Sequence, residues 1–287
     1  MFATYFSLTK PRMVLGNSIV AAAGFLFASR GSFDLPLFVA MVVGLAAVMA
    51  AACVFNNYID RDIDAKMPRT LGRAFVRGQV TPRNALVLGT VLIVFGLLVL
   101  FFFTNVVAAS VAAFGFFAYV VLYSLWGKRA SWWGTLVGAL SGATPPVVGY
   151  CAVAGRIDAA AIILFLILIC WQMPHFYAIA IYRLKEYAAA GVPVLPVQKG
   201  IEETKRHMLW WIAGFGIAIS LLTFLAGAGL VYLVVMESVA LAWLVLAING
   251  FRTQPPERAA RQLFFFSLIV LIFFALMLAL SGSLLLP

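Results

Sequence analysis

Ten acidic residues are spread over 287 positions, and three of them, Asp60, Asp62 and Asp64, fall in one short run, NNYIDRDID, that begins at Asn56. On an α-helix Asn56, Asp60 and Asp64 recur every four residues, so each is turned only about 40° from the last and the set extends roughly 12 Å along one face. Oxygen donors in that register suit magnesium, which takes one or two carboxylates and completes its shell with water and phosphate oxygens. Asn56, Asp60 and Asp64 are therefore the candidate metal ligands, and a bridged diphosphate is the anion they would hold. The chemistry this suggests is departure of diphosphate from a substrate carbon. Asp62, about 200° round the helix from Asp60, reads as a solvated cap at a helix end, and a hydrated cap is also the simplest alternative for the whole run. Lys66, Arg69, Arg73 and Arg77 follow closely, and cations placed there match phosphate oxygens that a metal leaves uncovered.

A second polar cluster runs from Trp171-Gln172-Met173-Pro174-His175-Phe176-Tyr177 to Tyr182-Arg183-Leu184-Lys185-Glu186-Tyr187. Polar groups inside apolar spans are costly and are functional candidates for that reason. His175 is a candidate to ligate or orient a substrate, with hydrogen bonding to its neighbours as the alternative, while Arg183 and Lys185 suit phosphate contacts.

These clusters sit in a chain that is 64% hydrophobic and only 10% charged, with a mean hydropathy of +1.06. That composition belongs to polytopic membrane proteins. A span needs roughly 20 apolar residues, and division at charge and Pro/Gly clusters predicts nine, near 13–29, 36–58, 84–104, 106–125, 133–153, 159–181, 208–226, 229–249 and 263–283. With the N-terminus inside, 18 of the 20 lysines and arginines fall on the cytoplasmic side and only Arg30 and Arg156 on the other, in accord with the positive-inside rule. The C-terminus is then outside, and both polar clusters lie at cytoplasmic helix ends. The net charge of +10 follows from orientation and phosphate binding and calls for no nucleic acid. Met1 to Arg12 resembles neither a cleavable signal nor a transit peptide, so a bacterial inner membrane is the expected home.

Between the clusters, Pro11 can open the first helix, with Lys10 and Arg12 facing the cytoplasm as interface anchors or ligand contacts. The basic loop 65–83 is long enough to fold over the acidic run as a lid. Trp126, Trp132 and Trp133 suit an interfacial belt. Ser141-Gly142-Ala143-Thr144-Pro145-Pro146 should break the fifth span, which is tolerated at membrane depth only where protein or a cavity covers it. Cys53, Cys151 and Cys170 lack metal-type spacing and read as small packing residues without a disulfide. Two polar helix ends four spans apart suggest a duplication about one central cavity, whereas the last three spans show little chemistry beyond Glu237.

The assembled motifs resemble the UbiA superfamily of intramembrane prenyltransferases, and within it the branch that farnesylates haem. The likeness covers nearly the whole length. It is carried by NNYIDRDIDAKMPRT from Asn56, LTKPR at Leu8 to Arg12, the YS and KR pairs between Tyr123 and Arg129, SGATPPVVGY at Ser141 to Tyr150, WQMPHF at Trp171 to Phe176 and GVPVLPV at Gly191 to Val197. Two departures stand out: Glu186 occupies a position where the branch usually has aspartate, and Ala74-Phe75 replaces a usual Pro-Leu.

The resemblance implies an all-α bundle of about nine transmembrane helices around a central cavity, with residues 1–287 as a single domain. It implies farnesyl diphosphate and haem B as substrates, haem O and diphosphate as products for haem-copper oxidase assembly, and magnesium as cofactor. Asn56, Asp60, Asp64, Lys66, Arg69, Arg73 and Lys128 would form the catalytic set. Lys10, Arg12, Tyr123, Arg129, Gln172, His175, Tyr182, Arg183, Lys185, Glu186 and Tyr187 would contact substrate. The lipid bilayer is the medium, and a haem A synthase or a second copy of the chain is the candidate protein partner.

Two rivals remain, a transporter from another class and a second prenyltransferase from within the enzymes. A transporter would place ionisable residues near mid-span, whereas these cluster at helix ends. An aromatic prenyltransferase serving quinone precursors would carry aspartates where this chain has WQMPHF.

Overall fold

Helix ends inside a membrane need their backbone groups satisfied, and this chain supplies a cap at several of them. Asp34, Thr81, Asn105 and Asp158 each accept a hydrogen bond from a first-turn amide. Gly155 and Gly227 close helices in the left-handed conformation, which glycine adopts without a Cβ clash.

The computed structural model describes residues 2–284. Among them are nine helices long and apolar enough to cross a membrane: Pro11–Ser29, Leu35–Ile59, Pro82–Phe103, Val106–Ala130, Gly134–Ala154, Ala159–Tyr182, Ile201–Ala226, Leu230–Asn249 and Pro256–Gly282. No strand occurs among the described residues. The protein is therefore a multi-pass, all-α membrane protein.

The expected spans lie within or close to these helices, but the seventh and ninth begin about seven residues earlier than hydropathy predicts. Their first turns carry Glu202, Glu203 and Glu257, and acids there are favoured by the positive helix N-terminus. A hydropathy threshold stops at such charges while the helix continues through them.

The second span packs along the third, the sixth along the seventh and ninth, and the ninth returns to the first, closing a ring. The first and fifth spans meet backbone to backbone. A Cβ on Gly149 would lie 1.9 Å from the carbonyl oxygen of Ala21, so only glycine permits that approach, as in other small-residue helix interfaces in membranes. Phe25, Phe27, Leu164, Ile167, Phe215 and Trp243 fill the interior. Phe101, Phe102, Phe103, Phe224 and Leu230 point outward, where lipid is the solvent.

Two spans depart from regular α-geometry where they face the interior. Ala118–Gly127 in the fourth winds as a π-helix, a variant that recurs at functional sites. The fifth breaks at Ala143 between Gly134–Gly142 and Thr144–Ala154, as its Ser-Gly-Ala-Thr-Pro-Pro run predicts.

Candidate active site

The second span stops at Ile59, Asp60 caps it, and a further turn covers Arg61–Asp64. Backbone bonds from Asp60 N to Asn56 O and from Asp64 N to Asp60 O carry the four-residue register across that cap. Asn56, Asp60 and Asp64 consequently share a face. They are not hydrated, as a helix end in water would be: their exposures are 3%, 1% and 3%. Buried carboxylates need partners, and the basic residues supply them. Lys128 Nζ lies 2.6 Å from Asp60 Oδ2, and Arg73 Nη1 donates to Asp64 Oδ2. Asn56, the first of the expected metal ligands, is hydrogen-bonded at both ends of its amide. Its amide nitrogen donates to Asp60 Oδ2 at 2.7 Å and to Ser124 Oγ at 2.9 Å, which turns its oxygen to Lys10 Nζ at 2.6 Å. Burial lowers the Lys10 ammonium to about 8, with nearby Arg73 and Lys128 adding to the effect.

The loop after Asp64 does fold over this site. Thr70 Oγ1 donates to the Asp64 carbonyl at 2.7 Å, while Ile63 and Met67 pack with Ala190 and Val192 from the loop after the sixth span. Ala74 is buried with Leu8 and Val54, and Phe75 packs against that cluster.

Beneath the loops lie two chambers. The outer, about 410 Å³, is lined by Lys10, Asp60, Asp64, Arg69, Arg73, Tyr123, Lys128, Tyr182, Arg183 and Tyr187 among others. The inner, about 310 Å³, is mostly apolar and is lined by Leu45, Val48, Ala112, Gly142, Thr144, Trp171, Gln172, His175 and Leu271, with Arg12 and Asn17. Met13, Tyr119, Gly138 and Phe176 line both, so the chambers meet there. The break in the fifth span forms part of the inner wall. A Cβ on Gly142 at that break would fall 2.0 Å from Gln172 Oε1, so the Gln172 side chain would have to shift to admit it.

His175 lines the inner chamber. Ser267 Oγ donates to the carbonyl of Phe264 at 2.6 Å, so its hydrogen is used. With Ser267 Oγ so assigned, its 2.7 Å contact with His175 Nδ1 is met by the tautomer that carries the proton on Nδ1. Nε2 keeps its lone pair. Trp171, stacked at 5.0 Å, and Phe264 at 4.9 Å hold the ring plane.

Among the described residues no group of three His, Cys, Asp or Glu side chains is disposed to hold a metal alone. Asp60 Oδ1 is nevertheless buried with no hydrogen-bond partner, an unmet acceptor at the chamber wall. That suits magnesium, which can take one or two carboxylates and draw its remaining oxygens from phosphate and water.

The profile of the UbiA prenyltransferase family matches residues 17–269. The chain belongs to the UbiA prenyltransferase family. Among relatives of this UbiA-family chain, a protohaem IX farnesyltransferase of Marinomonas sp. (strain MWYL1) is 50% identical over 270 residues, 94% of this chain and 91% of the relative. One from Serratia proteamaculans (strain 568) is 48% identical over 283 residues, 99% and 96% of the two chains. In fold, a structure described for digeranylgeranylglyceryl phosphate synthase superposes with a TM-score of 0.84 at 19% identity, covering 99% of each chain. A UbiA homologue from Archaeoglobus fulgidus bound to DMAPP and Mg2+ gives 0.71 at 16% identity, covering 99% of this chain and 100% of that one.

In this UbiA-family prenyltransferase the sequence-predicted residues divide into three groups. The acidic ladder, Lys10, Arg69, Arg73, Tyr123, Lys128, Tyr182, Arg183 and Tyr187 reach the outer chamber, and Arg12, Gln172 and His175 the inner. Arg183 also bonds Glu186 Oε1 at 2.6 Å, leaving Glu186 Oε2 buried without a partner. Lys66, Lys185, Glu186 and Arg129 line neither chamber. Arg129 is committed to Asp62 through two bonds of 2.7 and 2.8 Å, because both side chains sit on the outer side of the helix end.

Tyr119 and Ser267 escaped sequence reasoning, and Ser124 entered it only as part of the YS pair. The four-residue spacing of Tyr119 and Tyr123 was the one available signal; a serine in an apolar span carries none.

Proposed function

We propose that this UbiA-family prenyltransferase moves a farnesyl group from farnesyl diphosphate to a vinyl group of haem B, with addition of water, giving haem O and diphosphate. One observation carries the reading. A chamber walled by cations and carboxylates opens, at Tyr119 and Phe176, into an apolar chamber that presents a neutral imidazole nitrogen. The relatives named protohaem IX farnesyltransferase supply the substrate pair.

Lys10, Arg69, Arg73, Lys128 and Arg183 would bind the diphosphate, and their positive charge grows in value as the allylic C–O bond breaks and the electron pair leaves on oxygen. Asp60 and Asp64 would hold magnesium, which supplies charge neutralisation of the leaving group when bound. Asn56 would orient Asp60, and Tyr182 would keep Arg183 in place through its 3.1 Å bond from Nε. Met13, Tyr119 and Phe176 line the passage between the chambers and would exclude bulk water from the allylic carbon. His175 Nε2 would face the haem iron. The vinyl π electrons form the new carbon–carbon bond, and the resulting benzylic-type cation takes up one water and releases one proton.

On the same reading residues 1–287 act as one domain in a bacterial inner membrane. The N-terminus and the active site lie on the cytoplasmic side, as the distribution of lysine and arginine favours.

The test offers purified protein farnesyl diphosphate and magnesium with either haem B or an aromatic acid. Farnesylation of haem alone is the expected result; turnover with the aromatic acid alone would move the protein to the quinone-precursor branch.

A further inference from the structure

Arg12 lies at the start of the first span, where a cation would ordinarily be assigned to anchoring at the lipid headgroups. Its surroundings differ from that assignment in two respects. It lines the inner chamber, together with Met13, Gly16 and Asn17 from the same helix, and it is the one lysine or arginine among the described residues that does so. Its side chain is exposed and makes no ion pair or hydrogen bond to another described residue. The paired cations of the outer chamber contrast with this: Arg73, Lys128 and Arg183 each hold a carboxylate.

The inner chamber thus combines apolar walls, one imidazole lone pair and one uncommitted guanidinium at its mouth. A guanidinium forms two parallel bonds with a carboxylate. The ligand that fits all three features is a large apolar molecule with an acceptor site for nitrogen at its centre and a carboxylate on its rim. His175 lies seven residues before the end of the sixth span at Tyr182, about 10 Å deeper by helical rise. Arg12 stands at a span terminus.

We propose that Arg12 binds a propionate carboxylate of the haem and so fixes which edge of the macrocycle faces the mouth. The inference rests on the haem reading above. Arg12 is a positioning and specificity residue: it selects a carboxylated porphyrin and sets where its propionate edge lies.

The experiment measures binding of haem B and of its dimethyl ester to the full-length protein in lipid nanodiscs, by absorbance, for the wild type, Arg12→Met and Arg12→Lys. Melting temperature and farnesyl diphosphate affinity are recorded on the same samples. Loss of a charge-assisted contact corresponds to roughly a tenfold to hundredfold change in affinity. The wild type should therefore prefer the free acid by at least tenfold. Arg12→Met should bind both forms equally and as weakly as the wild type binds the ester, while Arg12→Lys should keep part of the preference. Equal affinity of the wild type for acid and ester would overturn the inference and leave the haem reading intact. So would equal weakening of both ligands in Arg12→Met, the result expected of a lipid anchor. Failure of the wild type to bind either haem would overturn the haem reading and the inference with it.

Discussion

Lys128 Nζ rests 2.6 Å from Asp60 Oδ2, although 68 residues separate them in the chain. The π-helical turns at Ala118–Gly127 deliver Lys128 to that point, where it occupies one oxygen of a carboxylate whose other oxygen has no partner. A cation and an acid already in contact can separate toward a diphosphate and a metal without either having first to be drawn out of water.

Asp60→Asn and Asp64→Asn should therefore each lower turnover by a hundredfold or more, the scale of losing one preorganised electrostatic contact. Asp60→Asn should also lower stability by about 3 kcal/mol, because it leaves Lys128 facing no countercharge in a buried site. The double variant Asp60→Asn/Lys128→Met should recover thermal stability and remain inactive. Melting curves and turnover on the same preparations check both statements.

Asp62→Asn should retain most activity. Asp62 is paired with Arg129, with side-chain exposures of 56% and 36%, and neither lines a chamber. The hydrogen bond from Arg129 holds the Asp62 carboxyl well below the usual carboxylate range. A carboxyl whose folded pKa is depressed contributes stability that is present above its unfolded value and is lost as pH falls through the folded one. The pair is thus intact from pH 5 to 8, and pH–rate profiles of wild type and Asp62→Asn should have the same shape over that range.

The register of the ladder was legible in the sequence because the four-residue spacing survives the helix end at Asp60. The broken fifth span was legible because two prolines and a glycine have few other readings. Less could be known of what surrounds them. Burial of Asp60 and Asp64 depends on Arg73 and Lys128 arriving from other segments, and charge in a sequence says nothing of its partner. π-winding leaves no spacing signature, and Ser267 reaches His175 across 92 residues from a span whose sequence looks merely apolar.

Ser267→Ala should weaken haem binding several-fold while leaving farnesyl diphosphate affinity unchanged, because it removes the acceptor that keeps the proton on His175 Nδ1. His175→Phe should weaken haem binding further, and Arg183→Ala should act on farnesyl diphosphate alone. Titrations of each ligand against the three variants separate these roles. Equal loss of farnesyl diphosphate affinity in His175→Phe and Arg183→Ala would contradict the two-chamber division.

Gly142→Ala should destabilise the protein by about 1–3 kcal/mol, the usual range for an overpacked core, since the added methyl meets Gln172 Oε1 at 2.0 Å. Gly142→Ala combined with Gln172→Ala should regain much of that loss, as a melting-temperature series would show.

The reaction itself offers the most direct test of the account. Full-length protein is given farnesyl diphosphate, haem B and magnesium in isotopically labelled water without dioxygen, and the porphyrin product is weighed. Capture of an allylic cation by a vinyl carbon followed by water predicts a haem that has gained one farnesyl chain and one labelled hydroxyl, with an equal amount of diphosphate released. An unlabelled hydroxyl, a product that forms only when dioxygen is admitted, or haem recovered unchanged while farnesyl diphosphate is consumed would contradict it.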